Sequence, residues 1–220
     1  MTRKSNARSG AGTLTRRSFA AGVGAAGMLA SVSPFGIVRA QGAPLKVGVL
    51  LPRSGVQAGI GQDCQRGVEI TNGILKDLGY GALDIMNGDT ESNPQTARAQ
   101  AEKLINVGAQ VLSGAFDSGQ TTAIAQVAEQ KGIPFVINIA AAPPITEQGY
   151  KFVFRNFPTA GMILGDAFEN QKEIFAAAGS APKSVVFLHV NDTFGTAMAK
   201  GIGGIMPKFN MPYKIAETIA

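Results

Sequence analysis

Short apolar segments alternate with amphipathic segments from Leu45 to Ala140, and this alternation restricts the fold more than any other feature of the chain. The first segment, "LKVGVLLP", is a nearly continuous apolar run, which is typical of a strand buried on both faces. The segments "ALDIMNGD", "AQVLSGAF" and "IPFVINIA" follow in the same manner, each after a stretch with helical periodicity. Strands that alternate with helices predict an α/β fold with doubly wound parallel sheets and right-handed crossovers.

Residues typical of helix ends bound the segments between these strands. Asn93 is predicted to be an N-cap, with Pro94 at the first helical position. The next helix is predicted to span Ser118–Lys131, with Ser118 as its N-cap and Gly132 at its end.

The regular alternation breaks at "AAAPPITEQGYKFVFRNFPTAG", which is predicted to be a crossover leading to a short strand at Phe152–Arg155. Predicted helices from about Met162 to Ala178 and from about Thr196 to Phe209 follow, with a strand "KSVVFLHV" and a loop "NDTFG" between them. A last strand, "YKIAETIA", has no covering helix. We therefore predict a first α/β lobe at residues 44–157 and the start of a second, incomplete lobe at 158–220.

Residues 1–40 are predicted to be an export signal rather than part of the fold. The chain has 20 Lys+Arg and 15 Asp+Glu, a net charge of +5, but six basic residues and no acidic ones lie in this segment. Arg16 and Arg17 stand in the twin-arginine pattern "TRRSF", and an Ala/Gly-rich stretch and a cleavage site after Ala40 follow. The remaining 14 Lys+Arg against 15 Asp+Glu form no basic patch, so nucleic acid is not an expected partner.

The sequence lacks the residues of a Cys/His zinc site and the glycine patterns of the common nucleotide-binding loops. Cys64 is the only cysteine and His189 the only histidine, which excludes a Cys/His zinc site and an intramolecular disulfide. A G-x-G-x-x-G match at Gly22–Gly27 follows no strand and lies in the predicted export signal, and no P-loop pattern occurs. We therefore expect no cofactor and no metal, and we interpret Cys64 as a small apolar residue on a helix.

Ser118, in "SGAFDSGQTTAIAQ", is the residue whose role separates the classes of function. A hydrolase nucleophile requires a G-x-S-x-G turn, a histidine and an acid. The residues two positions away are Phe116 and Gln120, and His189 lies at a strand end in the predicted second lobe. A purely structural N-cap is the simplest interpretation of this serine.

The topology offers a ligand-binding interpretation as well. Parallel α/β sheets bind ligands outside the carboxyl ends of their strands, where helix N-termini offer free N–H groups and a positive dipole end. Ser118 follows the third strand, Ala140–Ala142 follows the fourth, and the loop Ser54–Gly61 follows the first. These residues are expected to meet on one rim suited to an anionic or polar group. Spacing alone leaves a ligand site and a structural cap both open.

Several segments, in order from Leu45 to the end of the chain, resemble the periplasmic substrate-binding proteins of ABC transporters in the leucine/isoleucine/valine-binding family. "KVGVLLPRSGVQAGIGQDCQRGVEI" resembles the opening strand, Ser-Gly loop and first helix, and "DTESNPQTARAQAEKLI" resembles the acidic turn and Ala-rich helix. "SGAFDSGQTTAIAQVAEQKGIPFVINIAAAPPIT" resembles the strand, the ligand-binding serine and the second ligand loop. "GYKFVFRNFPT" and "VVFLHVNDTFG" resemble the crossover and the second-lobe strand.

The resemblance implies two α/β lobes that close on a ligand, and it assigns roles to particular residues. Ser118 matches the serine that binds the ligand carboxylate through its hydroxyl and N–H. Ala140 and Ala141 fall in the second ligand loop. Ile60 falls at the position in the first loop that contacts the ligand side chain, and Phe194 at the aromatic position of the second lobe.

Ala141 departs from the family pattern. Amino-acid binders place a Thr or Ser hydroxyl there, and losing a hydrogen bond to a charged group costs about 1–3 kcal/mol. We therefore expect a small carboxylate without an ammonium group, such as an aromatic acid, or an amide, to fit at least as well as an α-amino acid. Ser92 and Asp117 occupy the positions of the family's occasional disulfide, so that bridge is expected to be missing.

These observations predict an exported, periplasmic solute-binding protein without enzymatic activity. Its expected partners are a small-molecule ligand, the membrane permease of an ABC transporter and, during export, the twin-arginine translocase. Two alternatives stay open: an exported α/β hydrolase, and a ligand-sensing module of the same fold.

Overall fold

The computed structural model describes residues 43–220. Arg16, Arg17, the glycine pattern Gly22–Gly27 and the predicted cleavage site after Ala40 therefore lie outside the described residues. The elements in chain order are β1 Lys46–Leu51, α1 Ala58–Asp77, β2 Asp84–Asp89, α2 Pro94–Asn106, β3 Val111–Gly114, α3 Ser118–Lys131, β4 Phe135–Ile137, β5 Val153–Arg155, α4 Ala160–Ala178, β6 Ser184–Leu188, α5 Thr193–Ile205 and β7 Lys214–Ile219. None of the helices in this part of the chain has the length and apolar character needed to span a membrane.

The strands form two parallel sheets, which confirms the predicted fold class. The first sheet has five strands in the order β2-β1-β3-β4-β5, and the second pairs β6 with β7. Strand order reverses between β1 and β3, so the loops after these two strands diverge to opposite faces of the sheet. Such a switch point leaves a crevice at the carboxyl edge of the strands.

The core of the first sheet lies on the face that packs against α2 and α3. Side chains alternate across a strand, so every second residue points to this face. Leu50, Leu112, Phe135 and Ile137 point there and are 0% exposed, and α3 contributes the equally buried Ile124. This alternation is the structural reason why the short apolar runs predict strands correctly.

The opposite face of the first sheet is covered less completely. Helix α1 lies along it, and a groove of about 290 Å³ remains between the helix and the strands. Val136 and Phe154 point to this face and are 36% and 53% exposed. Cys64 lies on α1 and lines the groove, as expected for an apolar residue on a helix, and burial raises the pKa of its thiol.

The second sheet has its own apolar cluster. Leu164 and Phe168 of α4 pack with Ile202 of α5, and Phe187 of β6 lies against them. The rings of Phe168 and Phe209 are 5.5 Å apart between centroids.

The start of α2 agrees with the sequence-based prediction. Asn93 has an extended backbone, and its side-chain oxygen accepts hydrogen bonds from the N–H groups of Gln95 (2.8 Å) and Thr96 (3.0 Å). Pro94 occupies the first helical position, where a missing N–H costs nothing.

The start of α3 differs from the prediction, because the N-cap is Asp117 and not Ser118. Asp117 has the extended backbone of a capping residue (φ −81°, ψ 140°), and its Oδ1 accepts a hydrogen bond from the N–H of Gln120 at 2.9 Å. A carboxylate is the stronger acceptor and also favours the positive end of the helix dipole. Ser118 is consequently the first residue of the helix, and its hydroxyl is free for another partner.

Three other helices begin earlier than predicted. Helix α5 begins at Thr193 instead of Thr196, because Asp192 Oδ1 caps it by accepting from the N–H of Gly195 at 2.7 Å. Phe194 therefore lies on a helix and not in a loop. The α4 start is Ala160 instead of Met162, and α1 begins at Ala58, which places Ile60 in its first turn rather than in the preceding loop.

Gly114 and Gly73 provide an opposed pair of substitutions that tests this fold. Gly114 has φ +121°, and a Cβ there would lie 2.0 Å from the carbonyl oxygen of Leu50, whereas nothing lies within 4 Å of a Cβ on Gly73. Gly114→Ala is expected to lower the free energy of unfolding by at least about 2 kcal/mol. Gly73→Ala, on an open helical face, should raise it by about 0.5–1 kcal/mol. Urea denaturation followed by circular dichroism measures the free energy of unfolding of both variants. If the two substitutions changed it equally, the described turn after β3 would be contradicted.

Candidate ligand-binding site

Ser118 meets the loop after β4 at the carboxyl edge of the first sheet. The N–H of Ala142 donates to Ser118 Oγ at 3.4 Å. Ser118, Ala140 and Ala141 are 1%, 2% and 3% exposed, so these predicted site residues form one buried group. The sheet topology alone brings them together, since they follow neighbouring parallel strands.

Arg155, at the end of β5, fixes the orientation of the second loop. Its Nη1 donates to the carbonyl of Ala140 at 3.0 Å, and its Nη2 donates to the carbonyl of Ala142 at 2.7 Å and to Thr146 Oγ1 at 3.2 Å. Burial lowers the pKa of this guanidinium, and the charge of Glu147 opposes that change. Sequence reasoning did not identify Arg155, although a charged residue at the end of an apolar strand is a signal for such a role.

The backbone of this loop presents the N–H of Ala142 toward Ser118. In a trans peptide the N–H points opposite to the preceding C=O, so the bond from Arg155 to the Ala140 carbonyl turns the N–H of Ala141 away from the arginine. The next peptide follows the same rule, because the Ala141 carbonyl accepts from the N–H of Ala160 at 2.8 Å and the N–H of Ala142 reaches Ser118 Oγ. The N–H of Ala142 therefore faces the α3 N-terminus, and that of Ala141 points away from Arg155.

Several N–H groups at this place have no acceptor. Between residues 43 and 220, those of Ser118 and Gly119 at the start of α3, and those of Ala140 and Ala141 in the loop, donate no hydrogen bond. The first N–H groups of a helix lack intrahelical partners, and they carry the positive end of the helix dipole. Unpaired donors on buried residues are costly, so this arrangement suits a small anionic or strongly polar ligand.

The first loop is held by the turn after β2. Asp89 Oδ1 accepts hydrogen bonds from the N–H groups of Arg53 (3.0 Å), Ser54 (3.2 Å) and Glu91 (2.9 Å). Partial burial by itself raises the pKa of Asp89, but these hydrogen bonds outweigh it, so the pKa lies below its ordinary value of 3.8. Ser92 adds a second attachment, since its hydroxyl donates to the carbonyl of Ser54 at 2.8 Å.

Ile60 and Phe194 lie on the first turns of α1 and α5. Ile60 is 43% exposed, and Phe194 is partly buried. The start of α5 reaches the α3 N-terminus, because a Cβ on Gly119 would lie 3.3 Å from Thr193 Oγ1. A cavity of about 380 Å³ lies beside this contact, lined by Thr122, Ala142, Ile145, Asp192, Thr196 and Lys200, among others.

Within residues 43–220, the residues that a serine hydrolase needs are not assembled around Ser118. Its hydroxyl accepts from a backbone N–H and has no hydrogen bond to a histidine in the described part of the chain. His189 Nδ1 lies 2.8 Å from the carbonyl oxygen of Val190, and its ring stacks on Phe187 at 5.8 Å between centroids.

The sequence matches the family model described as "Periplasmic binding protein" over residues 44–215, and the chain belongs to this family. The Leu/Ile/Val-binding protein homolog 8 of Brucella abortus (strain 2308) is 31% identical over 164 residues, which are 71% of this chain and 40% of the relative. Homolog 7 of Brucella suis biovar 1 (strain 1330) is 32% identical over 165 residues, or 72% of this chain and 41% of the relative. The chain thus spans less than half the length of these relatives.

Solved structures show the same fold. A solute-binding protein of an ABC transporter from R. palustris, in complex with benzoate, is 28% identical and superposes with a TM-score of 0.65 over 80% of this chain and 48% of that one. The leucine-binding protein LivK of Thermotoga maritima MSB8 is 22% identical, with a TM-score of 0.65 over 80% and 49% of the two chains. These overlaps confirm the periplasmic-binding-protein-like fold predicted from the sequence.

Asp89→Asn tests whether the carboxylate anchors the first loop. A lowered folded-state pKa means that the charge stabilises the fold above pH 3.8 and that this contribution is lost as the pH falls through the folded-state value. The variant is expected to be less stable than the parent protein at pH 7, and the difference should shrink below about pH 4. Thermal melting across pH 3–7 measures this, with Asp166→Asn, at an exposed position on α4, as a control. A difference that is constant with pH would contradict an ionic anchor.

Proposed function

We propose that the chain is part of an exported solute-binding protein, which captures a small carboxylate between two lobes and delivers it to the permease of an ABC transporter. The observation that carries this proposal is the set of unpaired N–H groups at the start of α3 and in the loop Ala140–Ala141. A carboxylate has two acceptor oxygens and a charge that the helix dipole favours.

The chemistry at residue 141 favours a carboxylate without an ammonium group. Ala141 supplies a backbone N–H but no hydroxyl, and its own carbonyl already accepts from Ala160. Among the structural neighbours, proteins from R. palustris were solved with benzoate, 4-hydroxybenzoate and 3,4-dihydroxybenzoic acid, and other neighbours with leucine or isoleucine. We infer that an aromatic acid, or another small acid or amide, suits this site at least as well as an aliphatic amino acid.

Capture depends on movement between two lobes, which we place at residues 44–157 and 158–220. Ser118 and Ala141 are buried in this structure, and the start of α5 lies against Gly119. Separating α5 from α3 would admit a ligand, and ligand contacts from both sides would favour the closed form. A difference in affinity of about 5.5 kcal/mol between open and closed forms is enough to change a 1:99 population to 99:1.

The same site supports binding without catalysis. Among residues 43–220, His189 contacts Val190 and Phe187 rather than Ser118, which does not favour the hydrolase alternative. A ligand-sensing module shares every feature of the site and differs only in its partner. The protein is proposed to be periplasmic, with Arg16 and Arg17 read by the twin-arginine translocase and cleavage after Ala40.

A ligand screen on the complete exported protein tests this function. Benzoate, 4-hydroxybenzoate, leucine and benzamide are compared by thermal shift, because a ligand at a hundredfold excess over its Kd adds about 2.7 kcal/mol of stability. Ser118→Ala is expected to weaken binding of the best ligand by about 10- to 100-fold, whereas Ser180→Ala, in an exposed loop, should leave the affinity unchanged. If the Ser118 variant bound the ligand as tightly as the parent protein does, Ser118 would not be a ligand-binding residue.

Ala141→Thr tests the inferred preference for acids that lack an ammonium group. The added hydroxyl is expected to improve leucine binding relative to benzoate by about tenfold, the value of one hydrogen bond to a charged group. Ala141→Val adds nearly the same volume without the hydroxyl, so it serves as the matched control. Calorimetric titration of both ligands into each variant gives the ratio of affinities, and an identical ratio in the Thr and Val variants would contradict the inference.

A further inference from the structure

Gln57 occupies the N-cap position of α1 but does not cap the helix. Its side chain makes no capping hydrogen bond. Instead, its Nε2 donates to Asp117 Oδ2 at 3.5 Å, and its Oε1 accepts from Gln120 Nε2 at 2.7 Å. The side chain thus crosses from the start of α1 to the start of α3, which are about sixty positions apart in sequence.

Gln120 is the buried half of this connection. It is 1% exposed, and its Oε1 accepts from the hydroxyl of Thr90, which is 0% exposed. Its backbone N–H donates to Asp117 Oδ1 at 2.9 Å, so one carboxylate serves both the cap of α3 and the link to Gln57. A buried amide is tolerated only when it is hydrogen-bonded.

The backbone of Gln57 is also held, by the turn after β2. Its N–H donates to Ser92 Oγ at 3.0 Å, in the turn after β2. A Cβ on Gly55 would lie 2.6 Å from the carbonyl oxygen of Glu91, so that turn also fits closely against the first loop. The ends of β1, β2 and β3 are therefore joined by polar contacts that meet at Gln57.

We propose that Gln57 and Gln120 form a positioning bridge that fixes the first turn of α1, which carries Ile60, relative to the start of α3, which carries Ser118. The inference rests on the proposed function, since the bridge acts on ligand affinity by holding two parts of one site in their bound arrangement. Preorganisation of this kind lowers the ordering cost of binding. In this arrangement the two glutamines are positioning residues, and Ser118 and the loop Ala140–Ala141 make the ligand contacts.

The bridge has features that a purely structural contact does not need. Gln57 makes no capping bond to its own helix, although Ser and Asn are the residues that are favoured at such a position. Asp117 could cap α3 without the second bond to Gln57. The side chains of Gln57 and Asp117 each bond to the start of the other helix. Their contact therefore fixes the start of α1 relative to the start of α3.

The test uses the complete exported protein with benzoate and leucine as probes. Gln57→Met keeps the length of the side chain and removes both of its hydrogen bonds. The triple variant Gln57→Met/Thr90→Val/Gln120→Met also removes the buried amide and the buried hydroxyl that donates to it, so that neither is left unpaired. Gln95→Met, an exposed glutamine in the first turn of α2, is the matched control. Calorimetric affinity and hydrogen–deuterium exchange of residues 53–62 are measured for each.

The bridge is supported if both Gln57 variants bind the preferred probe about tenfold more weakly and exchange faster at residues 53–62, while Gln95→Met does neither. Unchanged affinity and exchange in the Gln57 variants would overturn the inference and leave the proposed function standing. If the parent protein binds neither probe, the proposed ligand class fails. The exchange data then decide on the bridge alone: faster exchange supports it, and unchanged exchange overturns it.

Discussion

Parallel strand pairing is the constraint on which the rest of the structure depends. Because β1, β3 and β4 run in the same direction, the three loops that follow them must lie at one edge of the first sheet. Each of these loops ends at or near a helix start or a turn with unpaired N–H groups. The polar character of the edge is therefore a consequence of the topology and does not need many charged side chains.

The charged side chains near this edge act on the backbone. Asp89 uses its carboxylate to hold the N–H groups of the first loop, and Arg155 uses its guanidinium to hold the carbonyls of the second. Asp117 accepts the free N–H of Gln120 at the start of α3. Backbone dipoles held in this way need little reorganisation if a ligand arrives, which would suit the proposed capture and release of a ligand.

Ser118 illustrates how local and tertiary effects combine at this site. As an N-cap it would have used its hydroxyl on its own helix, but Asp117 takes that role, and the hydroxyl meets the N–H of Ala142 instead. A sequence pattern cannot separate adjacent Asp and Ser residues as caps, because both are favoured. The start of α5 shows the same ambiguity, where Asp192 takes the cap and moves Phe194 onto the helix.

The sequence by itself determined the fold class, the order of strands and helices, and the cap at Asn93 with Pro94 after it, because these follow from periodicity and from preferences of neighbouring residues. It also placed Ser118 and Ala140–Ala142 at one edge, since parallel strands allow no other arrangement. The tertiary structure alone decided the direction of the loop N–H groups, the use of Arg155, and the link from Gln57 to Gln120 across 63 positions. Such contacts depend on distances between residues far apart in the chain, and a local pattern contains no information about those distances.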